Sequence, residues 1–181
     1  MQDDAPDQPQ GLDDATIAFA RRVFDHARAG RADELAPLLE IGLPANLRNG
    51  AGDTLLMLAS YHGHHDAARL LLERGADPEI GNDRGQTPLA AASYQGDIAM
   101  VRLLLDRGAD VNGAGRNGRT ALMTAAMFNR VEIVALLLTH GADPALRDAD
   151  GLTAREAALV MGAPDTPDQL AGHAAPRPGA A

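Results

Sequence analysis

The sequence has no cysteine, no tryptophan and no lysine, and two of these absences exclude classes of function. Without cysteine there is no disulfide, no thiol nucleophile and no thiolate-bound metal. Without lysine there is no phosphate-binding glycine loop of the type that ends in a lysine. All 16 basic residues are arginines. Together with the abundance of alanine, glycine and aspartate, we interpret this as the coding bias of a GC-rich, bacterial genome.

Aromatic residues and long apolar runs are also scarce. Aromatics make up only 3% of the 181 residues, so a core has to be built from leucine and alanine. The longest apolar run, residues 133–138, is much too short to cross a bilayer, which takes about 20 residues. The first residues carry neither a basic region nor an apolar stretch. We therefore expect no secretory signal, no membrane partner and, unless a leader has already been removed, a cytoplasmic location.

The formal net charge is −9, but much of the acidic excess lies at the start of the chain. Residues 1–15 contain five aspartates and no basic residue, whereas acids and arginines are closer to balance over the rest. A protein that binds nucleic acid through its phosphates needs a basic stripe. The charge distribution therefore predicts no nucleic-acid partner.

What the sequence does contain is a repeat of 33 residues. Gly52, Gly85, Gly118 and Gly151 have this spacing, and a threonine follows each glycine by two places. A second series, Gly-Ala-Asp, starts at residues 75, 108 and 141, each time shortly after three consecutive leucines. A fixed period of this length indicates a solenoid, in which each unit buries its apolar face against its neighbours.

Residues 82–114 show the unit most completely. Thr87 is placed to cap a first helix with its hydroxyl group, and Pro88 follows at the first helical position, where a missing N–H costs nothing. Gly96 is placed to end this helix in a left-handed conformation before a second helix begins. Asn129 has the equivalent position in the next unit, and asparagine tolerates this conformation best after glycine. The pattern predicts two helices per unit.

This unit resembles the ankyrin repeat, in which a β-hairpin loop is followed by two antiparallel helices. The resemblance covers residues 16–162, with full repeats at 49–81, 82–114 and 115–147. It implies an all-α fold, an ankyrin-repeat solenoid of helix-turn-helix units joined by β-hairpin loops. The family's Thr-Pro-Leu-His motif reads Thr-Leu-Leu-Met, Thr-Pro-Leu-Ala and Thr-Ala-Leu-Met here, so its histidine is missing from all three repeats.

The N-terminal end of the array departs from the full repeat. Residues 12–48 fit an N-terminal capping repeat with a longer, more charged first helix. We expect Pro37 in the first turn of its second helix, where proline is tolerated. The acidic segment 1–11 is predicted to be disordered.

The C-terminal end departs from it in another way. Residues 148–162 fit a partial capping repeat of one hairpin and one helix, with a capping box formed by Thr153 and Glu156. Arg155 replaces the buried leucine of the other repeats, as suits a unit with no outer neighbour. Residues 163–181 are rich in proline, alanine and glycine and are predicted to be disordered.

Proteins of the ankyrin family bind partners on a concave face made of hairpin tips and of the exposed side of each first helix. Transferred position by position, this implies a monomeric, non-catalytic adaptor or scaffold that binds a protein partner there. An inhibitor or immunity-type protein that occludes a toxin or an enzyme is the alternative. The implied partner-binding residues are Asp53, Tyr61, His62, Asp83, Arg84, Gln86, Tyr94, Gln95, Arg116, Asn117, Arg119, Met127 and Phe128.

Aromatic residues recur on this implied face. Tyr61 and Tyr94, the two tyrosines of the chain, occupy the same repeat position, and Phe128 lies one place beyond it. Aromatic residues and arginine dominate the binding energy of many interfaces. Together with Met127 and the nearby arginines Arg84, Arg116 and Arg119, they predict a contact stripe for a partner that carries apolar and acidic groups. Alternatively, the aromatics only cover the turn between two helices, and their repetition reflects common ancestry of the repeats.

A histidine cluster raises a further alternative, a regulatory module that senses a metal or a small ligand. His62, His64 and His65 lie close together, and imidazole is a common zinc ligand. However, no ligand pair repeats elsewhere, and Asp66 alone is a poor fourth ligand. The glycine-rich residues 113–118 have the repeat position of a hairpin tip, so we do not interpret them as a phosphate-binding loop. We therefore expect no metal, no cofactor and no enzymatic activity.

Overall fold

The computed structural model describes residues 14–173, which fold into ten α-helices in two layers. The helices are α1 (Asp14–Arg28), α2 (Ala32–Glu40), α3 (Leu55–Tyr61), α4 (His65–Glu73), α5 (Pro88–Gln95), α6 (Ile98–Asp106), α7 (Ala121–Met127), α8 (Val131–Thr139), α9 (Ala154–Met161) and α10 (Thr166–Ala171). Odd-numbered helices pack side by side in one layer, and even-numbered helices form the other. The described residues contain no β-strand, only isolated bridges between the residues that flank two of the loops preceding the first helices. The prediction of an all-α solenoid of helix pairs is confirmed.

Each first helix of a full repeat begins at a threonine that caps it, as the repeated threonine predicts. The hydroxyl oxygens of Thr54, Thr87 and Thr120 accept hydrogen bonds of 3.0–3.2 Å from the backbone N–H three residues later. Pro88 takes the first helical position of α5. These bonds satisfy donors that a helix start leaves unpaired, so the threonines determine where α3, α5 and α7 begin.

The turn between the two helices of a repeat requires a left-handed residue. Gly96 has a φ of 83° at the end of α5. Asn129 has a φ of 53° at the equivalent turn and is the only residue other than glycine with a positive φ among residues 14–173. The prediction made from this substitution is therefore confirmed, because both residue types tolerate the left-handed conformation.

The core lies between the two helix layers and runs through the repeats as one cluster. The central leucine of each leucine triplet, Leu71, Leu104 or Leu137, is fully buried in its second helix. Alanines of the first helices, such as Ala92 and Ala125, are also fully buried and let neighbouring helices approach closely. At about 1.5–3 kcal/mol for each fully buried leucine, this continuous core stabilises repeats that would not fold alone.

Four hairpin loops precede the first helices. We number them hairpin 1 (49–53), hairpin 2 (82–86), hairpin 3 (115–119) and hairpin 4 (148–152). Hairpins 1, 2 and 4 are each closed by a backbone hydrogen bond of 2.9–3.0 Å from their first to their fifth residue. The hairpins lie along the odd-numbered helices and form one wall of the surface that those helices expose.

The hairpins are joined in two pairs. The amide of Asp83 donates to a carbonyl of hairpin 1, and the amide of Ala149 donates to a carbonyl of hairpin 3. In the described structure no backbone hydrogen bond joins hairpins 2 and 3. There the carbonyl group of Gly85 lies so close to Gly115 that a β-carbon would not fit at residue 115. Hairpins 2 and 3 therefore touch without being hydrogen bonded through their backbones.

The N-terminal unit differs from the prediction at Pro37. Its first helix, α1, has 15 residues and is longer than the first helices of the repeats. The second helix, α2, begins at Ala32, so Pro37 is its sixth residue and does not lie in its first turn. The missing N–H leaves the carbonyl of Asp33 without its helical partner. Both residues are exposed, so water can bond that carbonyl. The predicted disordered segment 1–11 lies outside the described residues.

The prediction of disorder from residue 163 onward is wrong for residues 163–173. A second helix of the last unit, α10, packs there on α9 and on the preceding repeat. Leu170 is buried, and the Thr166 hydroxyl donates a 2.7 Å hydrogen bond to the carbonyl of Ala126. Arg155, expected to have no outer neighbour, donates to the carbonyl of Pro167 at 3.0 Å. The last unit therefore has two helices, and only residues 174–181 of the predicted tail lie outside the described residues.

The predicted capping box of α9 is confirmed. The backbone N–H of Thr153 donates to the Glu156 carboxylate at 2.8 Å, and the backbone N–H of Glu156 donates to the Thr153 hydroxyl at 3.3 Å. The hydrogen bond from the Thr153 backbone is the main reason that the pKa of Glu156 lies below its ordinary value. None of the helices in residues 14–173 combines the length and apolar character needed to cross a membrane.

Candidate functional site

Three aromatic side chains form a continuous row on the layer of odd-numbered helices. Tyr61 is the last residue of α3, Tyr94 lies in the last turn of α5, and Phe128 directly follows α7. The ring centroids of Tyr61 and Tyr94 are 6.2 Å apart in a stacked arrangement, and those of Tyr94 and Phe128 are 4.6 Å apart, edge to face. Equivalent helix ends lie side by side in the layer, so the 33-residue register brings these rings into contact. We call these three residues the aromatic row.

The aromatic row forms one side of a groove, and hairpins 2 and 3 lie on the other. The groove consists of two adjoining cavities of about 460 and 230 Å³. Arg84, Gln86 and Tyr94 line both cavities, so the two lie next to each other. We call them together the central groove. Of the residues implied by the ankyrin resemblance, those that line it are Asp53, Tyr61, His62, Arg84, Gln86, Tyr94, Asn117, Arg119, Met127 and Phe128.

Three of the implied residues do not line the central groove. Asp83 forms an ion pair with Arg48 at 3.2 Å, beside hairpin 1. Gln95 lies on the far side of the aromatic row, in a depression lined also by Arg130. Arg116 is exposed at the tip of hairpin 3. The structure therefore groups most of the implied residues around one groove and leaves these three outside it.

Two arginines of the central groove, Arg84 and Arg119, differ in how freely their side chains can move. Arg84 is 71% exposed and lies 3.7 Å from a carboxylate oxygen of Asp53, whose side chain is only 8% exposed. Asp53 also accepts a 2.8 Å hydrogen bond from the Asn82 amide, so its charge does not depend on Arg84 alone. Arg119 contacts Asp148 at 3.3 Å, and the Asp148 side chain is only 1% exposed. Arg84 can therefore turn toward a ligand more easily than Arg119 can.

The three histidines near the groove, His62, His64 and His65, make contacts with neighbouring protein groups. The His62 ring lies edge to face against Tyr61, and burial, followed by the charges of His64 and Arg28, lowers the pKa of His62. His64 bonds the carbonyl of Arg28 at 2.9 Å. His65 contacts a carboxylate in the next repeat. Among residues 14–173, no three His, Asp or Glu side chains lie close enough together to hold a metal ion. These contacts favour a packing role for the cluster.

Sequence reasoning missed two exposed apolar residues at the equivalent positions of the last unit. Val160 and Met161 lie 33 residues after Met127 and Phe128, and they are 74% and 49% exposed. The repeat register, extended once more, could have found them. Exposed apolar side chains therefore also occur at the end of α9, outside the central groove.

Comparison with known families agrees with this geometry. The family description "Ankyrin repeats (3 copies)" matches residues 24–114, and "Ankyrin repeats (many copies)" matches residues 104–158. The first match alone covers half of the chain, and it ends within the array of helix pairs and hairpins. The chain belongs to the ankyrin repeat family. Ankyrin repeats are in general non-enzymatic modules for protein–protein interaction.

One relative gives a more local match. A protein of Pseudomonas aeruginosa, whose name describes it as an ankyrin repeat protein, is 58% identical over 59 residues. The match covers 33% of this chain and 34% of the relative. The chain thus spans about a third of the length of that relative. The match supports the bacterial origin interpreted from the arginine-only composition.

Proposed function

We propose that this chain is a non-catalytic adaptor or scaffold that binds a protein partner in the central groove. The observation that carries the proposal is the contiguous aromatic row facing arginines of the hairpin wall. Aromatic residues and arginine are the residue types that most often dominate interface energies, and they do so when they meet in one patch. The general role of ankyrin repeats in protein–protein interaction supports the same conclusion.

The partner's chemistry follows from the two walls. Apolar side chains of the partner would contact Tyr61, Tyr94 and Phe128. Its carboxylates would approach Arg84, which is 71% exposed and lies 3.7 Å from the Asp53 carboxylate. The rings already contact one another, and Arg119 is already held by Asp148, so binding would order few side chains. A preformed groove of this kind loses little conformational entropy on association.

A double substitution tests the proposal. Tyr61→Ser with Arg84→Gln removes one ring and one cation of the groove. Arg119 is unsuitable for this purpose, because its loss would leave the buried Asp148 carboxylate unpaired and would destabilise the fold. The matched control is Ile41→Ser with Arg102→Gln, which removes an 82% exposed apolar side chain and an exposed arginine outside the groove.

Affinity capture from bacterial lysate, followed by isothermal titration with the purified partner, provides the measurement. We expect the wild type and the control to bind the same protein and the groove variant to bind it at least about tenfold more weakly, with unchanged thermal stability. Equal binding by all three proteins would show that the partner does not bind in the central groove. Loss of activity in a captured enzyme would identify the chain as an inhibitor and not as an adaptor.

A further inference from the structure

A second concave site lies where the N-terminal unit lacks a hairpin. By register, residue 21 corresponds to Thr54, the residue before α3. However, α1 already begins at Asp14, so its first two turns occupy the place where the other units have a hairpin. Between these turns and hairpin 1 lies a cavity of about 500 Å³, which we call the N-terminal cleft. Its apolar lining includes Ile17, Ala20 and Phe24.

The charges around the N-terminal cleft are predominantly basic. Arg21, Arg28 and Arg48 line it, and Asp25 is the acidic residue among the lining residues. Asp25 is paired with Arg28, and Arg48 is paired with Asp83 of hairpin 2. Within residues 14–173, Arg21 has no carboxylate partner. In a chain of net charge −9, an apolar cleft with an arginine surplus is electrostatically suited to an acidic ligand.

The N-terminal cleft adjoins the central groove. Arg28 lines both the N-terminal cleft and the first cavity of the central groove. A polypeptide segment that lies along Tyr61 and Tyr94 would therefore need to cross only the Arg28 side chain to reach the cleft of Ile17. This proximity places the cleft within reach of a ligand held in the central groove.

We propose that the N-terminal cleft binds the end of the partner segment, with an apolar side chain against Ile17 and Phe24 and flanking carboxylates against Arg21 and Arg48. The proposal rests on the proposed function, since the same partner segment is held in the central groove. It adds a ligand class: an extended acidic segment with an aliphatic or aromatic side chain.

Nuclear magnetic resonance on the full chain with isoleucine methyl groups labelled provides a local readout. Ile17 is the isoleucine of the cleft, and Ile41, Ile80, Ile98 and Ile133 serve as reference signals. The probe is a six-residue peptide with Leu-Phe at its centre and two aspartates on each side. The control probe has lysines in place of the aspartates. We expect the Ile17 signal to shift with the acidic peptide and not with the basic one.

The variant Arg21→Glu tests the charge requirement without removing a paired residue. We expect it to weaken the effect of the acidic peptide on Ile17 about fivefold or more, while the reference signals of the free protein stay in place. Arg102→Glu, which changes the net charge equally on an exposed part of α6, should have little effect. Equal responses to the acidic and basic peptides, or an unchanged response in Arg21→Glu, would overturn the proposal.

Three further outcomes distinguish the possible occupants of the cleft and separate this proposal from the proposed function. If replacing Asp3, Asp4 and Asp7 by asparagine shifts the Ile17 signal without peptide, the chain's own acidic segment occupies the cleft and the partner proposal fails. If the purified partner quenches tyrosine fluorescence but leaves Ile17 unmoved, the cleft proposal fails while the proposed function stands. If the partner affects neither, both fail.

Discussion

The central repeat, residues 82–114, and the last unit, residues 148–173, each contain two helices, but they are held in place differently. In the central repeat, α5 and α6 have neighbouring helices on both sides, and the main contact is apolar. In the last unit, α10 has only six residues and neighbours on one side. Side-chain hydrogen bonds to backbone carbonyls hold it, among them that of Thr166. The comparison suggests that specific polar contacts replace a missing neighbour at the end of the array.

The largest effect is expected from Leu104→Ala in the central repeat. The Leu104 side chain is fully buried, so its truncation should cost about 2–5 kcal/mol of the free energy of unfolding. Because α6, which carries Leu104, packs against helices of both neighbouring repeats, we expect one cooperative transition at a lower temperature, measured by circular dichroism. Leu105→Ala, at a partly buried neighbouring position, is the milder control. Two separate transitions would show that the repeats do not share one core.

A smaller and more local effect is expected from Thr166→Val in the last unit. The Thr166 hydroxyl is buried and donates to the carbonyl of Ala126 at 2.7 Å, so the isosteric change should cost about 1–3 kcal/mol. Hydrogen exchange should accelerate in α10 while α5 and α6 stay protected. Thr139→Val removes a comparable but exposed bond and should change little. Accelerated exchange throughout the array would contradict a merely local role for this bond.

Two serines at the same repeat position test whether a hydrogen bond also matters inside the array. Ser93 and Ser60 are both fully buried, but Ser93 donates to the carbonyl of Leu89 at 2.8 Å, whereas no group within residues 14–173 bonds the Ser60 hydroxyl. We expect Ser93→Ala to cost about 0.5–1.5 kcal/mol and Ser60→Ala to be neutral or stabilising. Ala126 fills this position in the next repeat. Chemical denaturation measures both variants, and equal losses would contradict the distinction.

The smallest effects are expected from two glutamates with opposite pKa shifts. The Thr153 backbone hydrogen bond lowers the pKa of Glu156, so its stabilising contribution exists at neutral pH and is lost as the pH falls through the lowered value. Partial burial raises the pKa of Glu79, helped by the carboxylates of Asp110 and Asp77. Its contribution is therefore most favourable at low pH and is lost as the pH rises through the raised value.

The melting temperatures of the variants Glu156→Gln and Glu79→Gln test these opposite pKa shifts. At pH 7, Glu156→Gln should lower the melting temperature slightly, and Glu79→Gln should raise it slightly. Glutamine at 79 can still accept the hydrogen bond of the Asp110 amide, which is 2.8 Å long in the wild type. Both differences from the wild type should shrink as the pH falls toward 3. Shifts of the same sign at pH 7 would contradict the assigned pKa directions.

The repeat register and the helix boundaries of the full repeats were predictable from the sequence because they depend on local backbone requirements. A capping hydroxyl at Thr87 or a left-handed residue at Asn129 acts within a few residues of itself. The same register identified most of the residues that line the central groove. Extending it would also have identified Val160.

The features that sequence reasoning missed depend on contacts between distant residues. Thr166 is ordered by a carbonyl 40 residues earlier, which the proline-rich composition around it does not reveal. The sequence predicts that Arg119 contacts acidic groups of a partner, but in the structure it lies 3.3 Å from Asp148, 29 residues later. The N-terminal cleft exists because α1 extends into the place of a missing hairpin. No repeat position corresponds to that space.

The pairing of the hairpins has a mechanical consequence. Hairpins 1 and 2 are hydrogen bonded, as are hairpins 3 and 4, but the contact of Gly85 with Gly115 carries no such bond. If the ends of the array are pulled apart, we expect the hairpins to separate first between hairpin 2 and hairpin 3. The second cavity of the central groove is lined by both hairpins that meet there. A ligand bound in this cavity would therefore contact hairpins 2 and 3 together and stabilise the contact between them.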